Sequence, residues 1–462
     1  MKDLVLLGNN FAVLVAASEL AKRGSAVTVL TDGKPLGGHF AGIKIKDYHF
    51  DIGMVMLEKY QSKSVATDLN TYDPLVRNDW SRFSGLVNEW LDSQLELQRV
   101  QTPSCLIEGG IQPDFLISNR LDMFAQVGVS SPAPLSPIDP RHASHKNFDS
   151  VYDHLSYGEA ARLNHGAEFH ERFIEPFICK LTGVSSDQFL ARYHRSVWAP
   201  LFYPETITQA LAGNSLALDE YPFWTTPSGV VGEFIQVVSQ QLVKNDKIKL
   251  ITDPVSSLEQ RGNQSWLIST DCGVTVSTDR LALGLSLDRL SVLLGRDKLP
   301  PDPGATICVL FAIIKQDAIN VRHGCLMIID ASYAAYRLND QDAMAGLNKS
   351  HHRVTIEARA ECLAELHPGV SAKEALRREL IQLFGIADAE TGAVEVLKCI
   401  TVPNAIALPT PEQINKTNLE SAEVREAIPE AFFLGGLLGY GLASLNDQLV
   451  QGLKIAKDFH ES

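Results

Sequence analysis

The strongest constraint on the fold is the pattern of residues 4–30. Leu4–Leu7 is a short continuous apolar run, which is typical of a buried parallel strand. From Phe11 onward apolar residues recur at helical spacing, and Gly24 stands where such a helix would end. The run Ala26–Leu30 contains β-branched residues and predicts a second strand. The segment therefore predicts a strand–helix–strand unit, the unit that opens a dinucleotide-binding domain.

The glycine fingerprint of such a unit is incomplete in this chain. Glycines are expected at the first, third and sixth positions of the turn, where this sequence has Gly8, Asn10 and Val13. The second glycine lets the backbone approach a pyrophosphate, and asparagine adds bulk there although it tolerates positive φ. The ribose-binding acid at the end of the second strand is replaced by Thr31, with Asp32 directly after it. The alternative is therefore a strand–helix–strand unit that binds nothing.

Two segments that follow this unit carry a resemblance to a known family. Leu36-Gly37-Gly38-His39 comes just after the second strand, and Tyr48-His49-Phe50-Asp51-Ile52-Gly53 comes a little later. Together with the opening unit they resemble the start of the FAD-dependent amine oxidase superfamily. That group includes protoporphyrinogen oxidases, carotenoid desaturases and UDP-galactopyranose mutases. The resemblance implies that the glycine pair lies against the flavin and its phosphates, and that the second segment lies beside the flavin ring.

The C-terminal segment extends the resemblance. The apolar run Ala431–Leu434 precedes the glycine-rich turn Gly435–Gly441, and Ser444–Asp447 matches the capping box of a helix. By the resemblance, the N-terminus of this helix would stabilise a reduced flavin. Gly436 stands where the family has an acidic residue, which is another departure. No cysteine lies in this segment, so the covalent flavin link of some amine oxidases is excluded.

A central segment resembles the family's return to the cofactor domain. Pro227-Ser228-Gly229 is followed by an amphipathic helical pattern and by a strand pattern before Val255. The resemblance implies that the main chain of Val255 contacts adenine. The cofactor-binding residues that it implies are Gly8, Asn10, Thr31, Asp32, Gly37, Gly38, His39, Asp51, Gly53, Val255, Gly435, Gly436, Leu445 and Asn446.

Three further residues are candidates for contact with a substrate. Lys180 ends a pattern that resembles the substrate domain of mutase-like members, and the alternative is a lysine that complements a helix dipole. Tyr336 and Arg337 lie on a predicted strand that resembles a substrate-facing strand of the same members. A guanidinium group pairs with oxyanions through two parallel hydrogen bonds, and the alternative is a salt bridge to a nearby acid. No catalytic base is assigned, because His39 and His49 are equally compatible with structural roles.

Composition excludes several classes of protein. The 462 residues suit two domains, and the net charge of −14 disfavours nucleic acid and anionic membranes as partners. The sequence has no apolar run of membrane-spanning length and no signal-peptide pattern, so we expect a cytoplasmic protein. Seven scattered cysteines without a Cys-x-x-Cys pair predict free thiols rather than disulfides or a metal site. The expected partner is a small-molecule substrate, and the oligomeric state is left open.

These features predict an α/β chain with two domains. A discontinuous Rossmann-like FAD-binding domain is expected in residues 1–80, 215–300 and 400–462, and a second α+β substrate domain in residues 81–214 and 301–399. We expect an active site between them.

Three hypotheses of function follow. The first is an FAD-dependent oxidoreductase that transfers a hydride from a small molecule to the flavin. The second is a UDP-galactopyranose mutase-like isomerase of a nucleotide sugar, motivated by Lys180, Tyr336 and Arg337. The third is a non-catalytic member that has lost FAD binding, motivated by Asn10, Val13, Thr31 and Gly436.

Overall fold

The structure is a computed structural model of the chain. It describes residues 4–59, 86–101, 103–113, 124–125, 127–130, 154–197, 199, 223–261, 265–299 and 302–461.

The described strands form one large parallel sheet, one large mixed sheet and several smaller sheets. In chain order they are β1 (Leu4–Gly8), β2 (Val27–Leu30), β3 (Ile43–Ile45), β4 (Tyr48–Phe50), β5 (Leu57–Glu58), β6 (Gln98–Arg99), β7 (Ser104–Ile107), β8 (Gly110–Pro113), β9 (Phe223–Thr225), β10 (Ile248–Ile251), β11 (Val255–Arg261), β12 (Ser265–Thr270), β13 (Thr275–Thr278), β14 (Leu281–Gly284), β15 (Gly304–Lys315), β16 (Cys325–Ile328), β17 (Ala335–Asp340), β18 (His351–Arg359), β19 (Val394–Ala407) and β20 (Phe432–Phe433).

The described helices pack on both large sheets. In chain order they include α1 (Phe11–Lys22), α2 (Tyr157–His165), α3 (Ala167–Phe169), α4 (Glu175–Thr182), α5 (Val231–Val243), α6 (Leu287–Leu293), α7 (Gln341–Met344), α8 (Ala360–Leu366), α9 (Ala372–Leu383), α10 (Pro411–Ala427) and α11 (Leu445–Glu461). A π-helical turn, His170–Ile174, joins α3 to α4, and residues 86–94 are also helical.

The first sheet is parallel and has the strand order β10–β2–β1–β14–β20. β1 is flanked on both sides, with Leu4 opposite Val27 of β2 and Val5 opposite Leu281 of β14. The predicted opening unit is thereby confirmed, from β1 through α1 to β2. From β1 the sheet is built outward through β2 to β10 on one side, whereas β14 and β20 lie on the other side of β1. The crevice outside the carboxyl ends of β1 and β14 is therefore the topological switch point.

Helix α1 packs closely between this sheet and α11. Val13, at the third glycine position of the fingerprint, is fully buried. The Val13 side chain fits against the sheet because Gly284, which faces it from β14, has no side chain. A Cβ on Gly284 would lie 2.5 Å from Val13 Cγ2. On the other face, a Cβ on Gly452 would lie 2.7 Å from the carbonyl oxygen of Ala12, so α11 approaches α1 without a side chain between them.

The second large sheet is mixed and has the order β19–β15–β18–β17–β16–β7–β8. One face carries apolar side chains that pack with α8 and α9. The other face packs with α2, the π-helical turn, α4 and Phe50 of the first half of the chain. This arrangement agrees with the predicted α+β domain beside a Rossmann-like domain, whereas the residue boundaries between the two domains stay a prediction.

One helix lies in a different core from the one expected. Residues 86–94 were assigned to the substrate domain, but Val87, Trp90 and Leu91 are buried in the core formed by α1, α5 and α11. The Trp90 ring lies 5.9 Å from the Phe11 ring and 6.0 Å from the Phe234 ring, both edge to face. Helical spacing indicates which face is buried but not which core buries it.

The seven cysteines are free thiols in this structure. Among the described helices, none is both long and apolar enough to cross a membrane.

Candidate functional site

Asn10 lies at the topological switch point, where it begins α1. Its Oδ1 accepts a hydrogen bond from the Val13 N–H at 3.0 Å, and its Nδ2 donates to the Gly284 carbonyl at 3.0 Å. Asn10 has a φ of −68°, so it does not adopt the positive φ that asparagine tolerates. The side chain therefore caps the helix and bridges the ends of β1 and β14.

Two glutamines on α11 meet the same region, and sequence reasoning missed both. Gln448 Oε1 accepts from the buried Phe11 N–H at 2.8 Å, and its Nε2 donates to Ala443. Gln451 Oε1 accepts from the Gly435 N–H at 2.7 Å, and its Nε2 donates to Leu442. The sequence feature that could have indicated them is a pair of glutamines three residues apart on the predicted C-terminal helix.

The far end of the crevice is closed by an ion pair. Arg289, on α6, donates to both carboxylate oxygens of Asp32, at 2.9 and 3.0 Å. Asp32 also accepts from the Val255 N–H at 2.9 Å, and the Val255 carbonyl accepts from Arg289. Both main-chain groups that the resemblance assigned to adenine are thus engaged within the chain. Arg289 was also missed, because nothing in the sequence links it to Asp32.

Thr31, the other residue at the predicted ribose position, is buried. Its Oγ1 has no hydrogen-bond partner among the described residues. A buried hydroxyl without a partner costs free energy unless water or a ligand reaches it.

The glycine pair after β2 supports α5. Gly37 has a φ of +91°, and a Cβ there would lie 2.1 Å from Ile235 Cγ2 on α5. Gly38, with a φ of +59°, starts a 3₁₀ turn over Gly38–Ala41. His39 lies in this turn with an exposed side chain, and its ring centroid is 3.8 Å from that of Phe40. The close approach made possible by Gly37 is therefore to a neighbouring helix.

Asp51 caps the first turn of α5. Its two carboxylate oxygens accept from the N–H groups of Val231 and Gly232, each at 2.8 Å. Burial raises the pKa of Asp51 to about 7 in spite of these hydrogen bonds. The carboxylate is thus engaged by the protein.

The C-terminal glycine turn and α11 complete the region assigned to the cofactor. The capping box is confirmed, because the Asp447 N–H donates to Ser444 Oγ at 3.1 Å. Leu445 is buried, and Asn446 bridges to β5 by exchanging hydrogen bonds with the main chain of Glu58. Gly436 faces open space, since no described atom lies within 4 Å of a Cβ built there.

Lys180 is buried near the end of α4, which packs on the mixed sheet. Its Nζ donates to the carbonyls of Ile328, Asp330 and Ala335, which belong to the connection between β16 and β17 and its edges. Burial lowers the pKa of Lys180 to about 8. The ammonium group therefore holds a loop of the mixed sheet. Lys180 also lies in the last turn of α4, as the helix-dipole alternative expects, whereas a contact with substrate stays a prediction.

Arg337 forms a buried ion pair with Glu357 through two hydrogen bonds of 2.8 Å, and the Tyr336 hydroxyl donates to the same carboxylate at 2.8 Å. Neighbouring strand residues normally point to opposite faces. Here the register between β17 and β18 shifts between Ala335 and Arg337, and this bulge lets both side chains reach Glu357. The salt-bridge alternative is what the structure contains.

This ion pair lies beside Gly53, so two sequence-predicted sites meet. A Cβ on Gly53 would lie 3.1 Å from Arg337 Nη2 and 3.6 Å from Glu357 Oε2. Gly53 has a φ of +82°. The turn after β4 therefore approaches the β17–β18 pair with its bare backbone, at the junction between the two halves of the chain.

Three buried polar atoms, on β17, on β18 and at the first residue of α7, have no hydrogen-bond partner among the described residues. They are Asn339 Oδ1, Gln341 Oε1 and Thr355 Oγ1, which we call the open polar atoms. Asn339 lies opposite Thr355 in the β17–β18 ladder, and its Nδ2 faces Glu357 Oε1 at 3.5 Å. The Nε2 of Gln341 faces the Asp51 carbonyl at 3.5 Å. Because a carboxylate and a carbonyl only accept, the amide oxygens must point away from them.

Solved structures share this architecture along the whole chain. A reduced UDP-galactopyranose mutase has a TM-score of 0.64 at 13% identity, covering 100% of this chain and 96% of the other. A candidate protoporphyrinogen oxidase from Exiguobacterium sp. 255-15 has a TM-score of 0.61 at 15% identity, covering 100% and 99%. A putrescine oxidase variant from a redesign of cofactor binding has a TM-score of 0.59 at 15% identity, covering 100% and 99%.

The chain has the amine oxidase-like fold. The resemblance seen in the sequence is thus confirmed at the level of the fold. No protein-family model matches the sequence, and no curated protein matches it either.

The family resemblance implies several positions at which FAD would contact the chain. At three of these positions the polar groups are hydrogen-bonded to other groups of the protein. The Phe11 and Val13 N–H groups at the start of α1 bind Gln448 and Asn10. Asp32 and Val255 bind Arg289 and each other. As arranged in this structure, these residues do not fit a bound FAD.

Proposed function

We propose that this protein binds a small polar molecule at the open polar atoms, between Gly53 and the β17–β18 pair, and that it does so without FAD. The observation that carries the proposal is that three buried polar atoms, on the paired strands β17 and β18 and at the first residue of α7, have no hydrogen-bond partner among the described residues. Buried polar groups in native proteins nearly always have a partner, which is protein, water or a ligand. The site lies between the two halves of the chain, where small-molecule sites are common.

The chemistry of these atoms supports one class of ligand. Two of them are amide oxygens, which accept hydrogen bonds, and the third is a hydroxyl. Arg337, the nearby cation, has both faces of its fork directed at Glu357. A ligand rich in N–H or O–H donors, such as an amine or a polyol, satisfies these acceptors. A phosphate or carboxylate would compete with Glu357 for the guanidinium group of Arg337.

The proposal is tested by the thermal unfolding midpoint of the purified protein with a series of probes. Putrescine and sorbitol serve as donor-rich probes, and inorganic phosphate and UDP-galactose serve as anionic probes. A ligand at a hundred times its Kd stabilises the folded state by about 2.7 kcal/mol. We expect a donor-rich probe to raise the midpoint, and a response to the anionic probes alone would overturn the proposed ligand class.

A pair of matched variants locates the response. Thr355→Val removes one open polar atom with little change of shape and should abolish the shift. Thr31→Val removes a hydroxyl that is equally buried and equally without a described partner, and it should leave the shift unchanged. An unaltered shift in Thr355→Val would place the ligand elsewhere.

An FAD-dependent oxidoreductase acting on a small molecule is the second candidate. It is supported by the amine oxidase-like fold over the whole chain and by the open space at Gly436. The visible absorbance spectrum of the protein as purified decides between the candidates, since bound oxidised flavin is coloured. The mutase hypothesis has no observation of its own here, because Lys180, Tyr336 and Arg337 are engaged by the protein.

A further inference from the structure

We infer that this chain fills its own dinucleotide crevice: Asn10, Gln448 and Gln451 occupy the pyrophosphate end, and the Asp32–Arg289 pair occupies the adenosine end. The inference rests only on the FAD-free part of the proposed function. It holds whether or not a ligand binds at the open polar atoms.

The N-terminus of α1 is the part of the crevice that would bind a phosphate. The first N–H groups of a helix have no partner within the helix and carry a partial positive charge, which makes them an anion site. Here the Phe11 N–H donates to Gln448 and the Val13 N–H donates to Asn10. Gln448 is only 4% exposed, so its amide is enclosed with these donors rather than displaced by water. A pyrophosphate would have to remove both side chains to reach them.

The glycines around Asn10 make room for its amide group. A Cβ on Gly284 would lie 2.9 Å from Asn10 Nδ2, and a Cβ on Gly435 would lie 2.7 Å from the same atom. These glycines stand at the ends of β14 and β20, the two strands beyond the switch point. In a dinucleotide-binding crevice, glycines at such strand ends admit the ligand. In this chain the space that they leave holds the Asn10 amide.

The C-terminal turn is tied down in the same way. The Gly435 N–H donates to Gln451, and the second arm of that amide donates to Leu442. Gln448 repeats the pattern one helical turn earlier, with one arm on Phe11 and the other on Ala443. Each glutamine thus satisfies a donor and an acceptor at once. If either hydrogen bond of a glutamine broke, a buried polar group would be left without a partner and without contact with solvent. This cost opposes displacement of the glutamine by a ligand.

The adenosine end is closed by a separate set of contacts. Asp32, Arg289 and the main chain of Val255 form a ring in which every pair is hydrogen-bonded. The carboxylate that would bind a ribose and the backbone that would bind an adenine therefore satisfy one another. Because this ring shares no residue with the pyrophosphate end, the two ends are tested independently.

The first experiment measures FAD binding by equilibrium dialysis and by quenching of flavin fluorescence. The opened variant combines Asn10→Gly, Gln448→Ala and Gln451→Ala. Glycine retains most of the capping preference of asparagine, so α1 keeps its start. The control is Gln413→Ala, which truncates an equally buried glutamine on α10 that bonds Thr417.

We expect no FAD binding by the wild type or the control and a gain in affinity by the opened variant. A hydrogen bond to a charged group contributes about 1.5–3 kcal/mol, so each freed donor should raise the affinity about 10- to 100-fold. A wild-type protein that binds FAD stoichiometrically overturns the inference and the FAD-free part of the proposed function. An opened variant that is folded by circular dichroism and binds no FAD overturns the inference alone.

Single substitutions keep the test decisive if the triple variant fails to fold. Gln448→Ala frees one donor, and its FAD affinity is compared with that of Gln413→Ala. At the adenosine end, Arg289→Ala should raise the affinity for ADP, whereas Arg296→Ala, at a half-exposed arginine just beyond the same helix, should not. Equal ADP binding by both arginine variants would show that Arg289 does not close the site.

Discussion

Asp51 accepts a hydrogen bond of 2.8 Å from the backbone N–H of Val231 and so joins the turn after β4 to the first turn of α5. The pairing is buried, and burial raises the pKa of Asp51 from 3.8 to about 7. The folded state therefore holds this proton more tightly than the unfolded state does.

The free energy of unfolding should consequently fall as the pH rises from about 4 to about 7. Between these values the folded protein binds more protons than the unfolded chain, so the pH derivative of the unfolding free energy is negative. For one group the slope reaches about 1.4 kcal/mol per pH unit. Urea unfolding at closely spaced pH values measures it, and Asp51→Asn should flatten the profile in this window. If the wild type and Asp51→Asn showed the same dependence of unfolding free energy on pH, the slope would belong to other titratable groups.

Substitution of Asn10 should separate its two contacts. Asn10→Ala removes the helix cap, worth about 1 kcal/mol, and the hydrogen bond to Gly284, worth about another 1 kcal/mol. Asn10→Ser keeps an oxygen for the Val13 N–H and should cost about half as much. The measurement is denaturant unfolding of the two variants side by side. Equal losses would mean that capping of α1 does not contribute.

Thr355→Val should stabilise the ligand-free protein. The buried Thr355 hydroxyl has no partner in the described part of the chain, so its removal relieves a desolvation cost of about 1–3 kcal/mol. Thr226 is the matched control, because its hydroxyl is buried but accepts from the Val230 N–H at 3.1 Å and donates to the Val230 carbonyl at 3.0 Å. Thr226→Val should therefore destabilise. Shifts of the calorimetric unfolding midpoint in the same direction for both variants would contradict this account.

The Arg337–Glu357 pair should behave as a unit. Arg337→Met leaves a buried carboxylate with its main cation gone, which costs about 3–5 kcal/mol. The double variant Arg337→Met with Glu357→Leu should regain most of this loss, and a double-mutant cycle from unfolding curves measures the coupling. The exposed Arg378–Glu374 pair is the control, and Arg378→Met should change the unfolding free energy by under about 1 kcal/mol. An additive cycle at the buried pair would reject coupling.

The sequence predicted what depends on local pattern. The strand–helix–strand unit, Gly24 at the end of α1 and the Ser444 cap of α11 follow from residues close together in the chain. The fold resemblance was reachable because the order of such elements is preserved although the fingerprint glycines are not. Val13 shows the limit, since its accommodation depends on Gly284, which is distant in sequence and adjacent in space.

The site was less accessible to sequence reasoning, because its decisive contacts join distant segments. Asn10 and Asp32 were identified as departures or candidates, but their partners Gly284 and Arg289 are 274 and 257 residues away in the chain. A departure from a motif indicates that a contact is changed, whereas only the fold identifies the side chain that takes its place. Likewise, the bulge in β17 that brings Tyr336 and Arg337 to one carboxylate has no signature in the residues themselves.

The hydrogen bond from the Phe11 N–H to Gln448 links the start of the first helix to the last helix of the chain. A protein whose crevice must be filled by a vitamin-derived molecule completes its core only when that molecule is supplied. If the chain fills its own crevice, as inferred above, both groups come from the polypeptide. The yield of folded protein should then be the same in riboflavin-starved and riboflavin-fed cells.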